Sequence, residues 1–425
     1  MKNMPRPVHL FILIAMLFAL AFSLSACGDD DDDDDNDDAT PGDDDTVDDD
    51  DTGDDDDNDD ATPDDDDTAD DDTVDDDTSD DDTGDDDTGD DDVTPVLGCV
   101  EGEFDPYWGN LHSHTTYSDG EGIPSDAFEM ARDQAGLDIM IVSDHLEQLY
   151  FPFPKERYQK CLAQADDFYA PGDYLADCGF EYGSGFILPW FQSTGHNNVF
   201  FSPTLFPIIT LDFHNFYDIL VDNPGTVGQF NHPYDDPFQH WNHFEYFEDV
   251  DVQMNLMEFS GTDIPWEAYV EALDAGWHVS PMYNQDNHSA DWGIKNDRRS
   301  GFFMADLTRE DLYEAMMARR SFMSYDKNAS LRIMADETCW MGSILSGYAS
   351  LTIDIEAFDA DAGDGFDVVE IYGPDSTLLD TLECEGATLC TGSFDYAITE
   401  STYFVAKAIQ DDTDYLVAAP IWVAP

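Results

Sequence analysis

Two short motifs place paired ligand-type side chains two residues apart. They are His112-Ser113-His114 and Asp286-Asn287-His288. In extended backbone, residues i and i+2 face the same side, so each pair presents two donors together. Ser118-Asp119-Gly120 lies just after the first pair and can turn a carboxylate back beside it. Between the motifs come Ser143-Asp144-His145, Gly179-Phe180-Glu181, Gly195-His196 and Asn231-His232-Pro233. The chain holds 11 histidines, and all but His9 fall between residues 112 and 288. Imidazole nitrogen and carboxylate oxygen together suit Zn2+, Mn2+ or Fe2+. A core cannot bury so many such groups without a compensating cation. No Gly-x-Ser-x-Gly elbow, P-loop or dinucleotide fingerprint competes with this reading.

The elements between these motifs follow an alternating order. Pro124 opens and Gly136 closes a helix-like segment, Ser125–Ala135. Asp138–Ser143 is an apolar strand run that ends on Asp144-His145. That strand-helix-strand unit puts ligand types at the C-terminal end of a strand, where the active sites of parallel α/β barrels sit. Gly179–Tyr182 offers a carboxylate after another expected strand, Gly195–Phe200 enters one more, and Val227–Pro233 ends a short apolar strand on His232. Val252–Phe259 reads as a strand carrying Glu258. Trp266–Ala275 reads as a helix, and His278–Tyr283 leads into the second pair. Thr308–Arg320 has the spacing of an amphipathic helix.

From Tyr107 to Asp326 the set resembles the PHP (polymerase and histidinol phosphatase) superfamily, most closely its CehA/McbA-like branch. The His-x-His pair, the Ser-Asp-Gly turn, Ser-Asp-His, His before Pro and the final Asp-x-His carry the resemblance. It implies a ligand set of His112, His114, Asp119, His145, Glu181, His196, His232, Asp286 and His288. Glu181 and His196 are placed by order and spacing alone. It also implies two to three divalent metal ions (Zn, Mn or Fe) and an α/β fold built on a distorted (β/α)7 barrel.

The expected function is a metal-dependent hydrolase acting on a small-molecule ester, with a metal-activated water as nucleophile. The superfamily favours phosphoric esters; the branch also implies carbamate or carboxyl-ester hydrolysis. Asp144 and Arg299 are the side chains proposed to assist, Asp144 by steering His145 or the water and Arg299 by meeting an anionic group. Arg298 is a parallel candidate. Glu258 reads equally as support for a ligand or as a strand-end hydrogen bond. A non-catalytic cell-surface binding module and a cation-binding lipoprotein are the alternatives from other classes. His214, His240, His243 and His278 match no ligand position.

Composition divides the chain. Of its 98 acidic residues, 41 are aspartates between residues 29 and 92, a stretch with no Lys or Arg. The formal net charge is -83. Such a surface repels a polyanion, so nucleic acid is not an expected partner. Lys2 and Arg6, the apolar run Leu10–Leu24 and small residues at Ser25-Ala26 read as an export signal. Leu24-Ser25-Ala26-Cys27 resembles a bacterial lipobox, which implies acylation of Cys27 and a membrane anchor. The expected location is therefore the outer membrane, the cell surface or the periplasmic face. The divisions are 1–27 (signal), 28–98 (a disordered Asp-rich linker), 99–328 (metallohydrolase domain) and 329–425 (a small antiparallel β-sandwich). Within the last, strands are expected at Ser350–Ala357, Asp367–Tyr372, Ser401–Ile409 and Leu416–Val423. The run Asp359–Gly365 hints at a Ca2+ loop, but its glycine is misplaced for an EF-hand and a hairpin loop is expected instead. Six cysteines remain after Cys27, an even number that suits an oxidising compartment. Cys161/Cys178 and Cys384/Cys390 are the local pairs, leaving Cys99/Cys339.

Overall fold

A computed structural model describes residues 98–150, 156–183, 195–208, 213–235, 239–261 and 264–425. The expected signal, lipobox and Asp-rich stretch lie outside these residues. The described residues belong to one compact unit of mixed α/β structure. Among them, no helix is long and apolar enough to cross a membrane.

Ten strands frame the histidine-rich part. They are β1 (Asp105–Asn110), β2 (Ile139–Val142), β3 (Leu175–Cys178), β4 (Phe180–Gly183), β5 (His196–Phe200), β6 (Val227–Phe230), β7 (Met254–Glu258), β8 (Ser280–Met282), β9 (Arg299–Met304) and β10 (Ser321–Ser324). β2, β3, β6 and β7 are buried along their whole length, and only β2 is an unbroken apolar run, since β3, β6 and β7 carry the buried polar residues Asp177, Gln229, Asn255 and Glu258. Hydrogen bonding joins them in two sheets: β10-β9-β1-β2-β3 and β4-β5-β6-β7-β8. β1-β2-β3 and β6-β7-β8 are parallel, but β9-β1, β4-β5 and β5-β6 are antiparallel. The ladder breaks between β3 and β4, separated only by Gly179. The hydrogen bonds thus form two sheets rather than one closed seven-stranded ring.

Helices cover the outer faces. α1 (Pro124–Met130) continues as a wider π turn, Ala131–Ala135, before Gly136. α2 (Glu156–Phe168) buries Tyr158, Cys161 and Ala165, a spacing that follows one helix face. α3 (Phe213–Val221) buries Phe213, Phe216, Tyr217 and Leu220. α4 (Pro265–Ala275) starts on a proline, and α5 (Arg309–Met317) is capped by Thr308, whose hydroxyl accepts from Asp311 N. The strand expected from Val252 begins only at Met254, because Gln253 turns inward. Its amide donates to the carbonyls of Leu220, Asn223 and Thr226 and closes a loop instead of extending the strand.

The C-terminal strands are β11 (Ser330–Ala335), β12 (Cys339–Trp340), β13 (Ile344–Ser346), β14 (Ser350–Phe358), β15 (Phe366–Gly373), β16 (Thr377–Ala387), β17 (Leu389–Ala397), β18 (Thr402–Gln410), β19 (Tyr415–Ala418) and β20 (Ile421–Ala424). One sheet has the order β12-β11-β14-β17; β13, β20, β18 and β19 continue the first sheet through the β19-β10 ladder, with β15 and β16 alongside. Leu331, Ile333, Ile353 and Ile355 from one layer share a core with Val369, Ile371, Phe404 and Ala406 from the other. Residues 329–425 are therefore divided: β13, β15, β16, β18, β19 and β20 belong to the sheet that holds β9 and β10, and β11, β12, β14 and β17 form a sheet of their own. Leu416–Val423 is two strands, split at Ala419-Pro420, where the proline nitrogen cannot join a ladder. Asp359–Gly365 is not a hairpin loop, since β14 and β15 pair with different partners and the segment crosses between layers. The six cysteines pair as Cys99–Cys339, Cys161–Cys178 and Cys384–Cys390.

Candidate metal centre

His112 and His114 follow β1 and are completely buried. Thr115 to Ser118 then turn around Asp144, at the end of β2. Its carboxylate accepts from Thr115 N (2.7 Å), Thr115 Oγ1 (2.7 Å), Ser118 N (3.0 Å) and Ser118 Oγ (2.5 Å). Burial raises the pKa of Asp144, against the pull of His114 and of these hydrogen bonds. The turn brings Asp119 back beside His114. It closes so tightly that a Cβ on Gly120 would lie 2.6 Å from the carbonyl carbon of His114. Asp144 thus shapes the loop between two candidate ligands; its bonds run to that loop, not to His145.

Glu181, on β4 and 1% exposed, is the centre of the arrangement. Its Oε1 lies 2.9 Å from His196 Nδ1 and 3.2 Å from His232 Nε2. Its Oε2 lies 2.9 Å from His145 Nδ1, 3.3 Å from His112 Nε2 and 3.3 Å from His114 Nε2. Asp286 Oδ1 joins the second group at 3.0 Å from His114 Nε2 and 3.4 Å from His112 Nε2. Asp119 meets His145 Nε2 (3.5 Å) and His288 Nε2 (3.4 Å). All nine residues singled out from the sequence therefore lie in one cluster. They group as His114, Asp119, His145 and His288; His112, His114 and Glu181; and Glu181, His196 and His232.

The donor chemistry fits divalent cations. His112 Nε2 and His114 Nε2 face each other at 3.2 Å and both face carboxylate oxygens. His112 Nδ1 is 2.8 Å from Glu258 Oε1, which takes its proton side and leaves the Nε2 lone pair turned into the cluster. Four acceptor-type atoms in such contact repel unless a cation lies among them. An ion bonded at roughly 2.0–2.2 Å separates neighbouring ligand atoms by about 2.8–3.6 Å, depending on geometry. The observed separations of 3.0 and 3.4 Å fall within that span. His232 Nδ1 is also buried without a hydrogen-bond partner.

Without a cation, charge on the protein must substitute. Burial disfavours protonation of His112, but Glu258, Asp286 and Glu181 outweigh it and its pKa rises. His114 is pushed up to about 9, burial being overcome by Asp286 and Glu181. Burial opposes ionisation of Glu181, yet His112, His196 and His145 hold its pKa well below the usual range. Asp286 is lowered in the same way, by His112 and His114 against burial.

Two acids gain a place that their sequence context left open. Glu258 accepts from His232 N (3.0 Å), Gln229 Nε2 (3.0 Å) and Asn284 Nδ2 (3.0 Å) besides contacting His112. It is both a strand-end hydrogen-bond acceptor and the group that orients a histidine. Glu147 was not singled out; burial pushes its carboxyl up to about 7, near His145 and His196. No motif marks it, only its position two residues after His145. Arg299 is buried, and its Nη1 donates to the carbonyls of Asn296 and Arg298 at 2.8 Å. Arg298 lies over the Tyr325 ring at 3.9 Å. Neither arginine has a contact with the nine residues. His278 pairs with Asp251, His243 with Glu271, His240 stacks on His243 and His214 stacks on Phe213, all apart from the cluster.

The exposure of the cluster is uneven, and His196 is 33% exposed. Asp119 and His288 are 43% and 42% exposed, while His112 and Glu181 are closed off. Ligand atoms on the open side can exchange with solvent or a small molecule.

No family model matches the chain, and no curated protein matches it. Among solved structures, 77% of the chain is similar to 98% of a two-domain protein containing a predicted PHP-like metal-dependent phosphoesterase from Bacteroides vulgatus, at 15% identity and a TM-score of 0.43. Half of the chain is similar to 56% of the lesion-specific endonuclease PfuEndoQ from Pyrococcus furiosus, at 15% identity and a TM-score of 0.37. Likenesses this slight assign neither a family nor an activity.

Proposed function

We propose that the chain is a metal-dependent hydrolase of a small-molecule ester, of the PHP type and CehA/McbA-like. The observation that carries this reading is the division of Glu181, whose two oxygens face two different groups of imidazoles. A carboxylate so placed can bridge neighbouring cations. The nine residues would hold two to three such ions. Bound there, divalent metal would supply Lewis acidity at an ester oxygen and a water with its pKa lowered towards roughly 7. Glu258 fixes the tautomer of His112. Asp144 holds the loop that carries Asp119. The exposed edge at Asp119 and His288 admits the substrate, and the buried side at His112 and Glu181 excludes water. Motif resemblance favours a phosphoric ester over a carbamate or carboxyl ester.

The same proposal includes export and anchoring. Three disulfides support an oxidising compartment. The pattern at residues 1–27 supports lipidation at Cys27, with residues 28–98 as a linker, 99–328 as the hydrolase part and 329–425 as an appended β part. Elemental analysis of residues 93–425 should find two to three divalent metals per chain. A screen of chromogenic esters should find turnover of phosphoric esters. His112→Ala with His114→Ala should abolish both. Full turnover in that double variant would reject the reading, and turnover of carboxyl esters alone would move it to the second ester class.

A further inference from the structure

A second cluster of oxygen donors lies in the C-terminal part. Asp326 follows β10, Asp359 follows β14 and Asp364 precedes β15. One carboxylate oxygen from each lies within 4.8 Å of the others. Asp326 and Asp359 are buried, 8% and 2% exposed. Neither has an ion pair with Lys or Arg among the described residues; Lys327 pairs with Asp361 instead. Asp326 Oδ1 accepts from Asn328 N and Ala329 N, and Asp359 Oδ1 accepts from Asp361 N. Those bonds leave the second oxygens of both carboxylates turned elsewhere.

Gln410 supplies an independent sign of a ligand. It ends β18, is 1% exposed, and donates from Nε2 to Asp359 Oδ2 at 2.7 Å. Its head is therefore inside the cluster. Its Oε1 is buried and has no hydrogen-bond partner. Turning the amide over does not cure this, because its oxygen would then meet the Asp359 carboxylate at the same short distance. In either orientation an amide oxygen lacks a donor beside the buried Asp359 carboxylate. Asn328 Oδ1, two residues from Asp326, is likewise buried without a partner. A cation among the three carboxylates answers both their mutual repulsion and the unpaired Gln410 oxygen. The donors are carboxylate and amide oxygens, with no nitrogen or sulfur, which selects a hard ion. Ca2+ takes six to eight such oxygens in flexible geometry.

We infer that Asp326, Asp359 and Asp364, with the Gln410 amide oxygen, form a Ca2+ site separate from the histidine cluster. The ion ties together the β10-β11 connection, the β14-β15 crossover and the end of β18. It is a structural clamp between the two C-terminal layers.

The test is thermal unfolding of the full chain with and without Ca2+. Asp364→Asn leaves residues 29–92 unchanged, so any effect of Ca2+ on that acidic stretch is common to both proteins and cancels in the comparison. A midpoint rise of about 5 °C at millimolar Ca2+ is expected. The rise should persist in His112→Ala with His114→Ala and disappear in Asp364→Asn, an isosteric change at a half-buried loop position. No rise in the wild type, a rise that survives Asp364→Asn, or a rise lost in the histidine variant would each overturn the assignment. Tb3+ gives a second readout. Residues 29–92 contain no Trp or Tyr, so sensitised emission reports the folded part, where Tyr325 adjoins Asp326. Emission that Ca2+ displaces and that Asp364→Asn lacks supports the site; a wild type without it overturns the site.

Discussion

Glu258 Oε1 lies 2.8 Å from His112 Nδ1, and both groups are fully buried. The carboxylate also accepts the backbone N–H of His232, so one acid on β7 orients two residues of the cluster. Glu258→Gln keeps the shape but only one acceptor oxygen, so its NH2 must face an N–H donor, either at His112 Nδ1 or at His232 N. Metal affinity should fall about 10- to 100-fold. Titration of metal-stripped protein, with circular dichroism showing an intact fold, checks this. Unchanged affinity would mean that the tautomer of His112 is set elsewhere.

Asp144 accepts four hydrogen bonds from Thr115 and Ser118. Asp144→Asn can keep its oxygen toward Thr115 N and Ser118 and donate from its NH2 to the Thr115 hydroxyl, but the charge that strengthens all four bonds is gone. A loss of about 2–3 kcal/mol in unfolding free energy is expected, since charge-assisted bonds are lost. If Asp144 positions Asp119, the variant also binds metal more weakly. Denaturant melts and metal titration on the same samples separate the two effects.

Much of this site can be read from the residue pattern because its ligands sit in local motifs. His112 and His114 share a strand end, and Asp119 follows in a turn whose Gly120 has no room for a side chain. Glu181 was placed only by order, yet it holds the central position. Glu258 and Glu147 carry no motif; their parts depend on contacts with residues more than a hundred positions away or on burial alone. The sheets were harder still. β16 and β17 alternate exposed residues and carry Cys384 and Cys390, which tie one layer to the other. Antiparallel entry of β9 and β5 reflects long-range pairing that strand periodicity does not encode. The ends of β7 turned on one side chain, Gln253, choosing carbonyls over a ladder.

Metal-free protein should show a pH dependence with a defined sign. The raised pKa of His114, about 9 against 6.5 unfolded, means that the folded state holds its proton more tightly. Its contribution is complete below about 6.5 and is lost as pH rises through about 9. His112 is raised too and acts in the same direction. Glu181 and Asp286 are lowered, so their contribution is present above the ordinary carboxylate range and is lost as pH falls through their folded values. The midpoint of the metal-free chain should therefore drop between pH 6.5 and 9.5. Added metal needs neutral imidazoles, so its stabilising effect should grow over the same interval. Calorimetry at several pH values, with chelator or with metal, gives both curves. A metal-free midpoint that rises across this range would contradict the assignment.

Gly261 lies against His232, at positive φ (+70°), and a Cβ there would come 2.5 Å from His232 Cβ. His232 itself has φ of 28°, an unusual backbone for a side-chain-bearing residue. The neighbourhood holds the imidazole in place through strain that an added methyl would redirect. Gly261→Ala should cost about 1–3 kcal/mol and loosen the group of Glu181, His196 and His232 while sparing the group around Asp119. Metal content measured on the variant should fall by about one ion per chain, with the rest retained. A full complement of metal would show that His232 tolerates the shift.

Cys161–Cys178 closes a loop of 17 residues and joins α2 to the end of β3, three positions before Glu181. A loop of that size is worth about 3 kcal/mol in the entropic account. Cys161→Ala with Cys178→Ala should lower unfolding free energy by about that amount, leaving Cys99–Cys339 and Cys384–Cys390 intact. The ligand geometry depends less on this bridge than on the β4-β5 pairing, where Glu181 pairs with Asn198. Metal binding per folded molecule should therefore be retained at low temperature and fail early on heating. Metal titration at 10 °C and at 40 °C distinguishes a bridge that supports the fold from one that shapes the site. Loss of binding at both temperatures would assign it the second role.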